Sequence, residues 1–399
     1  MIIYGRGTID TPTLLQAIEK KLVENVRLKK LLNYYDGKQD ILLRFYDDPT
    51  KPNNRIVVNY CRHVSDFLTA YLVGIPLYMK GAAPELERAL DYNDDPQSVQ
   101  TAVQYMNTCG FGCELFYTDE QGNARFAPLN PLECIFFMND DLQQDITAFV
   151  RLVELEDGQG YTVTLYTADS MQTFALDAGA QSLTPTSEKM PHYWQDVPVN
   201  IYQNGENMQG SFEQAIPMQD ALNKIYSDNV NDFEQFVDAY LVLEGMAGTT
   251  SEDIAQMKAQ RVLLPPADSK AYWLTKSVDK SHIKQLQDDL RAQILEMCNC
   301  PDVKEFAGQY GDISGAALRL KLIKTEIAAT QQENSVRKAA LRKVELLYNI
   351  LSLSNTGAEY TAVEPIFTRN FLLTDAEQYE LDGGDRWTTT GTTGEDATE

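Results

Sequence analysis

The sequence predicts a mixed α+β protein, and three observations carry that reading. Apolar residues recur at helical spacing over 10–46 and again from Ser211 to Leu351. Between these stretches, Phe111 to Ala175 alternates with period two and is cut by turn residues, as strands are. Within the second helical stretch the segment Cys298–Ser314, CNCPDVKEFAGQYGDIS, breaks the pattern with Pro301 and with glycines at 308 and 311. Two helices thus flank a small strand-like excursion, and an irregular loop lies between two more.

At 399 residues, 43% hydrophobic and 10% aromatic, the chain can fill one large core or several ordinary ones. Its 58 acidic residues against 34 basic ones give a formal charge of −24. Affinity for nucleic acid comes mainly from Lys and Arg releasing counterions. A broad phosphate-gripping surface is therefore excluded, and any meeting with DNA is local or slippery; a solvated acidic surface is the plain alternative. Cysteines stand at 61, 109, 113, 134, 298 and 300, with neither zinc-site spacing nor a signal peptide ahead of them. Reduced thiols in a cytoplasm and no metal are expected. No apolar run approaches the roughly 18 residues of a membrane span.

From the start of the chain, Asp10 or Thr11 caps a helix with Pro12 in its first turn. Leu14, Leu15, Ile18, Leu22, Val26 and Leu31 give its apolar side, with Lys20, Lys21, Lys29 and Lys30 between them, and Gly37 is its left-handed stop. Ile56–Tyr60 reads as a short strand, and Cys61–Gly74 as a helix ended by Gly74-Ile-Pro76. Helices follow at Glu85–Tyr92 and Val99–Cys109. Six strands come next: Glu114–Thr118, Ala124–Ala127, Cys134–Met138, Ile146–Glu154, Tyr161–Tyr166 and Met171–Ala175. They suggest an antiparallel sheet or small barrel. Val197–Tyr202 is a last strand before a linker.

Ser211 with Gln214 matches a capping box, although Pro217 moves the helix start toward Ala215. Ile216, Ala221, Leu222, Ile225 and Phe233 form one side of that helix. Its end carries Asp228, Asp232, Glu234 and Asp238, which oppose the helix dipole. Something other than local helix stability placed those charges, or they form a solvated face. A β–α–β–β excursion follows, with strands at Ala239–Leu243, Arg261–Leu264 and Ala271–Leu274, and is too small to bury a core alone. Asp279–Met297 carries Ile283, Leu286, Leu290, Ile294 and Met297 on one stripe. From Ser314 the last helix carries Leu318, Leu322, Ile327, Leu341, Val344 and Leu347. The polar stretch 330–335 predicts a kink or a helix spanning two layers. Arg319, Lys321, Lys324, Arg337, Lys338, Arg342 and Lys343 make it locally basic: a contact face for acidic neighbours or phosphates, or a solvated face.

No phosphate loop, dinucleotide fingerprint, zinc-protease helix or nucleophile elbow occurs, and the three histidines, 63, 192 and 282, lie far apart. Catalysis is not expected, nor is any cofactor.

Residues spread along the chain resemble the portal protein of tailed bacteriophages, of the siphophage type found on phages and prophages of Gram-positive bacteria. They are Tyr34–Lys38, Asn53–Asn59, Tyr71–Pro76, Gly210–Glu213, Ser227–Glu234 and Asp238–Val242. Later ones are Leu274–Lys276, Pro301-Asp302, Phe306–Gly308, Ser314–Leu318 and Ile366–Asn370. Their shared order makes the match specific. The resemblance implies a portal fold: N-terminal helices and wing over 1–210, a stem helix over 211–238, a clip over 239–276 and a second stem helix over 277–298. A tunnel loop over 299–313, a long wing helix over 314–352, an inter-subunit strand over 353–373 and an acidic tail over 374–399 complete it. Family members continue into a helical crown; here a Gly/Thr/acidic tail stands instead, so the crown is short or absent.

What the resemblance implies of function is a ring of about twelve copies at one capsid vertex, in the virion, assembled in the host cytoplasm. Its partners would be the terminase large subunit, the head–tail adaptor, scaffold and major capsid protein, and double-stranded DNA passing without sequence specificity. No membrane is involved. Val303, Lys304, Glu305, Gln309 and Tyr310 would lie nearest DNA. Asp228, Asp232, Glu234, Lys280 and Lys284 would line the stem channel. Tyr240, Lys258, Arg261, Lys270 and Trp273 would serve docking at the clip. The alternative is an oligomeric scaffold or adaptor that never touches DNA.

Overall fold

The computed structural model describes residues 1–5, 9–48, 51–179, 182–236, 240–244, 250, 252, 255, 270–274, 280–302, 322–353 and 360–369. It divides into two compact units, each with its own contacts. The first comprises Met1–Asp36, Cys61–Ala215 and Leu295–Glu399; the second comprises Gly37–Tyr60 and Ile216–Ile294. The expected α+β class holds in both.

In the first unit, β1 (Ile2–Tyr4) precedes α1 (Thr11–Tyr35). Asp10 is the cap of α1, its Oδ1 accepting the Thr13 N–H at 3.0 Å, and Gly37 follows the helix at φ +81°. α2 (Tyr60–Val73), β2 (Tyr78–Lys80), α3 (Pro84–Tyr92) and α4 (Asp95–Cys109) come next. The six predicted strands appear as β3 (Phe111–Thr118), β4 (Ala124–Leu129), β5 (Cys134–Met138), β6 (Ile146–Glu154), β7 (Gly160–Tyr166) and β8 (Ser170–Asp177). β9 (Leu183–Pro185), β10 (Met190–Pro191) and β11 (Val199–Gln203) follow.

These strands form two sheets rather than one sheet or a barrel. β1-β5-β6-β7-β8-β10 run side by side with β9 on β8, and β11-β3-β4 form a separate sheet. Side-chain alternation explains how β5 and β6 sit between two layers. Ile135, Phe137, Ala148, Val150 and Leu152 face Leu14, Ala17 and Ile18 of α1. Phe136 points the other way, meeting Phe149 at 5.2 Å and Phe111 of β3 at 6.1 Å between ring centres.

α7 (Ile323–Leu351) is unbroken, so of the two outcomes expected for its polar stretch, a kink or a helix spanning two layers, the second is observed. Its polar stretch is used for docking: Gln332 Nε2 donates to Asn107 Oδ1 at 2.8 Å, and Ser335 Oγ accepts the Gln203 N–H at 2.7 Å. Ala329, Val336 and Ala339 pack against Tyr71, Leu72, Val103 and Met106. Ala340, Val344 and Leu347 pack against Leu86, Phe116, Phe126 and Trp194. The helix therefore serves two cores in succession. β14 (Glu364–Ile366) pairs antiparallel with this chain's own β2. Residues 367–369 are not strand and Asn370 lies outside the described residues, so of the expected Ile366–Asn370 strand only Ile366 falls in β14.

The second unit contains α5 (Ile216–Phe236), the antiparallel pair β12 (Tyr240–Glu244) and β13 (Lys270–Leu274), and most of α6 (Lys280–Met297). The expected Ser211–Gln214 capping box does not form. Ser211 Oγ donates to Asn107 Oδ1 at 2.8 Å and Gln214 Nε2 to Gln209 Oε1 at 3.0 Å. A 3-10 turn at Glu213–Ala215 leads into α5 instead, because Pro217 fits only a first turn. Ile56–Asn59 is extended but is not a strand of any sheet, and Tyr60 already begins α2.

The apolar stripes need correction at several positions. Val26 of α1 is 72% exposed, Phe233 of α5 68%, and Ile327 of α7 56%; Leu286 and Met297 of α6 are also exposed. Polar residues occupy buried positions in their stead, as described below.

Gly112 sets the approach of α4 to β3, since a Cβ there would lie 2.0 Å from the Ala102 carbonyl oxygen. Backbone faces backbone, so neither side can give way. Gly112→Ala is expected to cost about 1–3 kcal/mol in chemical denaturation. Gly5→Ala, whose Cβ meets nothing within 4 Å, should leave stability unchanged.

Candidate functional site

The second unit is organised by one helix–strap contact. Gln219, Asn223, Ser227 and Asn231 recur every four residues along α5 and are buried. Opposite them, residues 54–59 run extended and antiparallel to the helix, up to the start of α2 at Tyr60. Asn231 Oδ1 accepts the Asn54 N–H at 2.8 Å, Ser227 Oγ that of Ile56 at 2.9 Å, and Asn223 Oδ1 that of Val58 at 2.9 Å. Gln219 Oε1 accepts that of Tyr60 at 3.2 Å. Four helical residues rise about 6 Å and two extended residues about 6.6 Å, so the two ladders stay in phase over four rungs. This replaces the strand expected at Ile56–Tyr60: side chains of a helix satisfy the backbone that a sheet would otherwise pair.

The same strap accounts for the acidic end of α5. Arg44 Nη1 pairs with Asp228 at 2.6 Å, while its Nη2 donates to the Asn54 carbonyl at 2.6 Å. Glu234 Oε2 accepts from Asn54 Nδ2 at 2.9 Å. Two of the stem candidates are thereby engaged inside the subunit. Asp232 is half-buried and Lys284 exposed, and among the described residues neither has a hydrogen-bond or ion-pair partner. Lys280 begins α6.

For the clip candidates, Tyr240 opens β12, with Lys270 and Trp273 on β13; Leu241 pairs with Trp273 and Glu244 with Lys270. Lys258 and Arg261 lie outside the described residues, as do Val303, Lys304, Glu305, Gln309 and Tyr310. The structure does define where the predicted loop starts. Past α6, Asn299 takes φ +56°, the Cys300 N–H returns to the Leu295 carbonyl at 2.9 Å, and Thr325 Oγ1 donates to the Asn299 carbonyl at 2.6 Å. Lys324 pairs with Glu296 at 2.7 Å. These contacts tie the end of α6 to the first turn of α7.

The first unit holds a charge cluster that the sequence reading missed. Lys343 was placed on a basic face, yet its side chain is 0% exposed. Its Nζ lies 2.5 Å from Asp95 Oδ1, 2.8 Å from Glu114 Oε1 and 4.3 Å from the centre of the Phe126 ring. Glu114 also accepts from Ser98 Oγ at 2.5 Å, Asn200 Nδ2 at 3.0 Å and Tyr202 OH at 2.7 Å. Burial works to raise the Glu114 pKa, but the Lys343 ammonium and these donors outweigh it and hold the carboxyl below its usual range. Burial raises the pKa of Asp95, against the pull of Lys343. Burial opposes the charge on Lys343, but the two carboxylates outweigh it and raise its pKa.

The basic-face expectation is corrected for its neighbours too. Arg342 donates to the carbonyls of Val199 and Val197 and pairs with Asp196. Arg337 caps the Pro365 carbonyl and pairs with Glu333. Lys338 is exposed, and Arg319 and Lys321 lie outside the described residues. A signal for Lys343 existed. Thr325, Ala329, Gln332, Val336, Ala340, Lys343 and Leu347 follow a helical repeat on the buried side of α7, but few of them are large apolar residues. Lys21 of α1 behaves likewise: it is fully buried and donates to the Pro131 carbonyl at 2.7 Å.

With both units described, comparison with known proteins becomes decisive. The family described as "Phage portal protein, SPP1 Gp6-like" matches residues 16–384. This chain belongs to that portal family. The portal protein of Bacillus phage SPP1 is 23% identical over 390 residues, covering 91% of this chain and 75% of its own length. The family match spans the strap, α5, α6 and the buried cluster of this portal, and its role is structural and of the virion.

Three outcomes follow for this portal chain. Hydrogen exchange should alternate along the strap, with the amides of Asn54, Ile56, Val58 and Tyr60 slow and those of Arg55 and Val57 fast. Lys343→Met leaves two buried carboxylates uncompensated and should cost about 3–5 kcal/mol in urea titration. In acid, Glu114 has a folded pKa below its unfolded value near 4.5, so its stabilisation is present above that pH. Stability should fall as pH drops below about 4.5 toward the folded value, and Glu114→Gln should flatten that part of the profile.

Proposed function

We propose that the chain forms a closed homo-oligomeric ring at one vertex of a phage capsid, through which double-stranded DNA enters during packaging and leaves at ejection. The observation that carries this reading is the extent of the family match, 16–384, which takes in both compact units rather than one module. A net charge of −24 supports passage without retention, because an acidic lining repels phosphates over the ~10 Å range of screened electrostatics. Asp232 and Lys284 are then the described stem residues whose charges remain available to a channel, while Asp228 and Glu234 hold the strap. Residues 299–313 form the tunnel loop beside DNA, with Val303, Lys304, Glu305, Gln309 and Tyr310 as its contacts. Tyr240, Lys258, Arg261, Lys270 and Trp273 of the clip dock the terminase large subunit and later the head–tail adaptor. Scaffold and major capsid protein contact the wing, and residues 353–373 bridge to a neighbouring copy beyond the β14–β2 pair.

Electron microscopy of the purified protein tests the ring directly: end-on views should show closed rings of about twelve subunits, and particles without rotational symmetry would reject it. Cysteines placed at Lys304 and Gln309 should crosslink to DNA in packaged particles. Rings with no crosslink at either position would favour a scaffold or adaptor that does not meet DNA.

A further inference from the structure

Six free cysteines are described and all are buried. Burial pushes the thiols of Cys109 and Cys298 up to about 12, and raises those of Cys113 and Cys300 as well. Such thiols are poor nucleophiles. Cys113 and Cys134 differ in geometry. Cys113 is on β3 of the three-stranded sheet, Cys134 is on β5 of the larger sheet, and their sulphurs lie 3.1 Å apart. Cys134 Sγ donates to the Asn130 carbonyl at 3.2 Å, so its lone pairs are left to face the Cys113 thiol. The Lys21 ammonium lies close enough to interact electrostatically with both sulphurs. Cys134 is fully buried, and beside its strand lies the edge of the larger sheet. β1 is a three-residue edge strand whose Met1 carbonyl accepts the Phe136 N–H at 2.9 Å. Short edge strands open at low free-energy cost, which admits a small oxidant without global unfolding.

We propose that Cys113 and Cys134 are a disulfide-forming pair: thiols while the chain folds in a reducing cell, and a covalent clamp between the two sheets after exposure to a peroxide outside it. The chemistry balances. One thiol loses its proton and its sulphur attacks a peroxide oxygen; the O–O bond breaks, a sulfenic acid forms and the departing hydroxide takes up that proton as water. The second thiol attacks the sulfenic sulphur, the S–S bond forms, the S–O bond breaks and the hydroxide leaves with the second thiol's proton as water. Two thiols are oxidised by two electrons, and hydrogen peroxide is reduced to two waters. A virion spends time in oxidising surroundings where such bonds persist. The raised pKa of Cys113 makes closure slow, and the same burial shields the bond from reduction once formed.

The purified full-length chain is treated in its native state with hydrogen peroxide, then denatured, alkylated and digested. Trypsin cuts at Arg125 and places the two cysteines in different peptides; cleavage after Phe111 separates Cys109 from Cys113. A peptide pair linked through Cys113 and Cys134 is expected, with a Tm several degrees above the reduced protein and reversal by dithiothreitol under denaturing conditions. Cys113→Ser should abolish both the link and the Tm rise and free Cys134 for alkylation, while Cys61, Cys109, Cys298 and Cys300 are alkylated as before. Complete alkylation of Cys113 and Cys134 after oxidation, oxidation of either one alone, or linkage to a different cysteine overturns the proposal. The measurement is made on isolated protein, so its failure leaves the portal reading standing, and absence of rings leaves the disulfide untouched.

Discussion

The first unit depends on a buried ammonium. Removing Lys343 from water costs several kcal/mol unless its charge and its three N–H donors are answered in place. Asp95 answers from the first turn of α4, Glu114 from β3, and the face of Phe126 from β4. The contact therefore fixes three elements around α7 at once. Glu114 needs partners of its own, and Tyr202 and Asn200 of β11 supply them. The two sheet neighbours of β3 are thus bound to α7 through one side chain. A hydrophobic core alone tolerates sliding among similar packings, whereas a charge surrounded by fixed donors and acceptors has one arrangement.

The second unit solves a related problem with neutral groups. An extended segment laid on a helix leaves alternate N–H groups facing a surface that has no free backbone acceptors. Side-chain oxygens at every fourth helical position supply them, because the helical and extended repeats nearly coincide over that distance. Arg44 then couples the strap to the acidic end of α5, turning charges that oppose the helix dipole into a tether. Such a tether keeps α5 attached to the strap.

Most of the element order was legible in the sequence. Period-two alternation gave six strands within a few residues of their observed ends, and Asp10, Pro12 and Gly37 marked the bounds of α1. The portal resemblance rested on Asn53–Asn59 and Ser227–Glu234 among other segments. The structure explains that these two are the strap and the stretch of α5 that holds much of it. What periodicity misjudged was which helix face is inside. Counting large apolar residues put Val26, Phe233 and Ile327 within and Lys21 and Lys343 without, and all five are reversed.

The sequence by itself determined the α+β class, the approximate elements and membership of the portal family, because local repeats and ordered motifs survive in one dimension. Only the tertiary structure decided which polar residues are buried. Burial of Lys343 requires Asp95 and Glu114, hundreds of residues away in the chain, and burial of Asn223 requires the backbone of Val58. A polar side chain enters a core only when its partner arrives with it, and that partner is a fact of three dimensions.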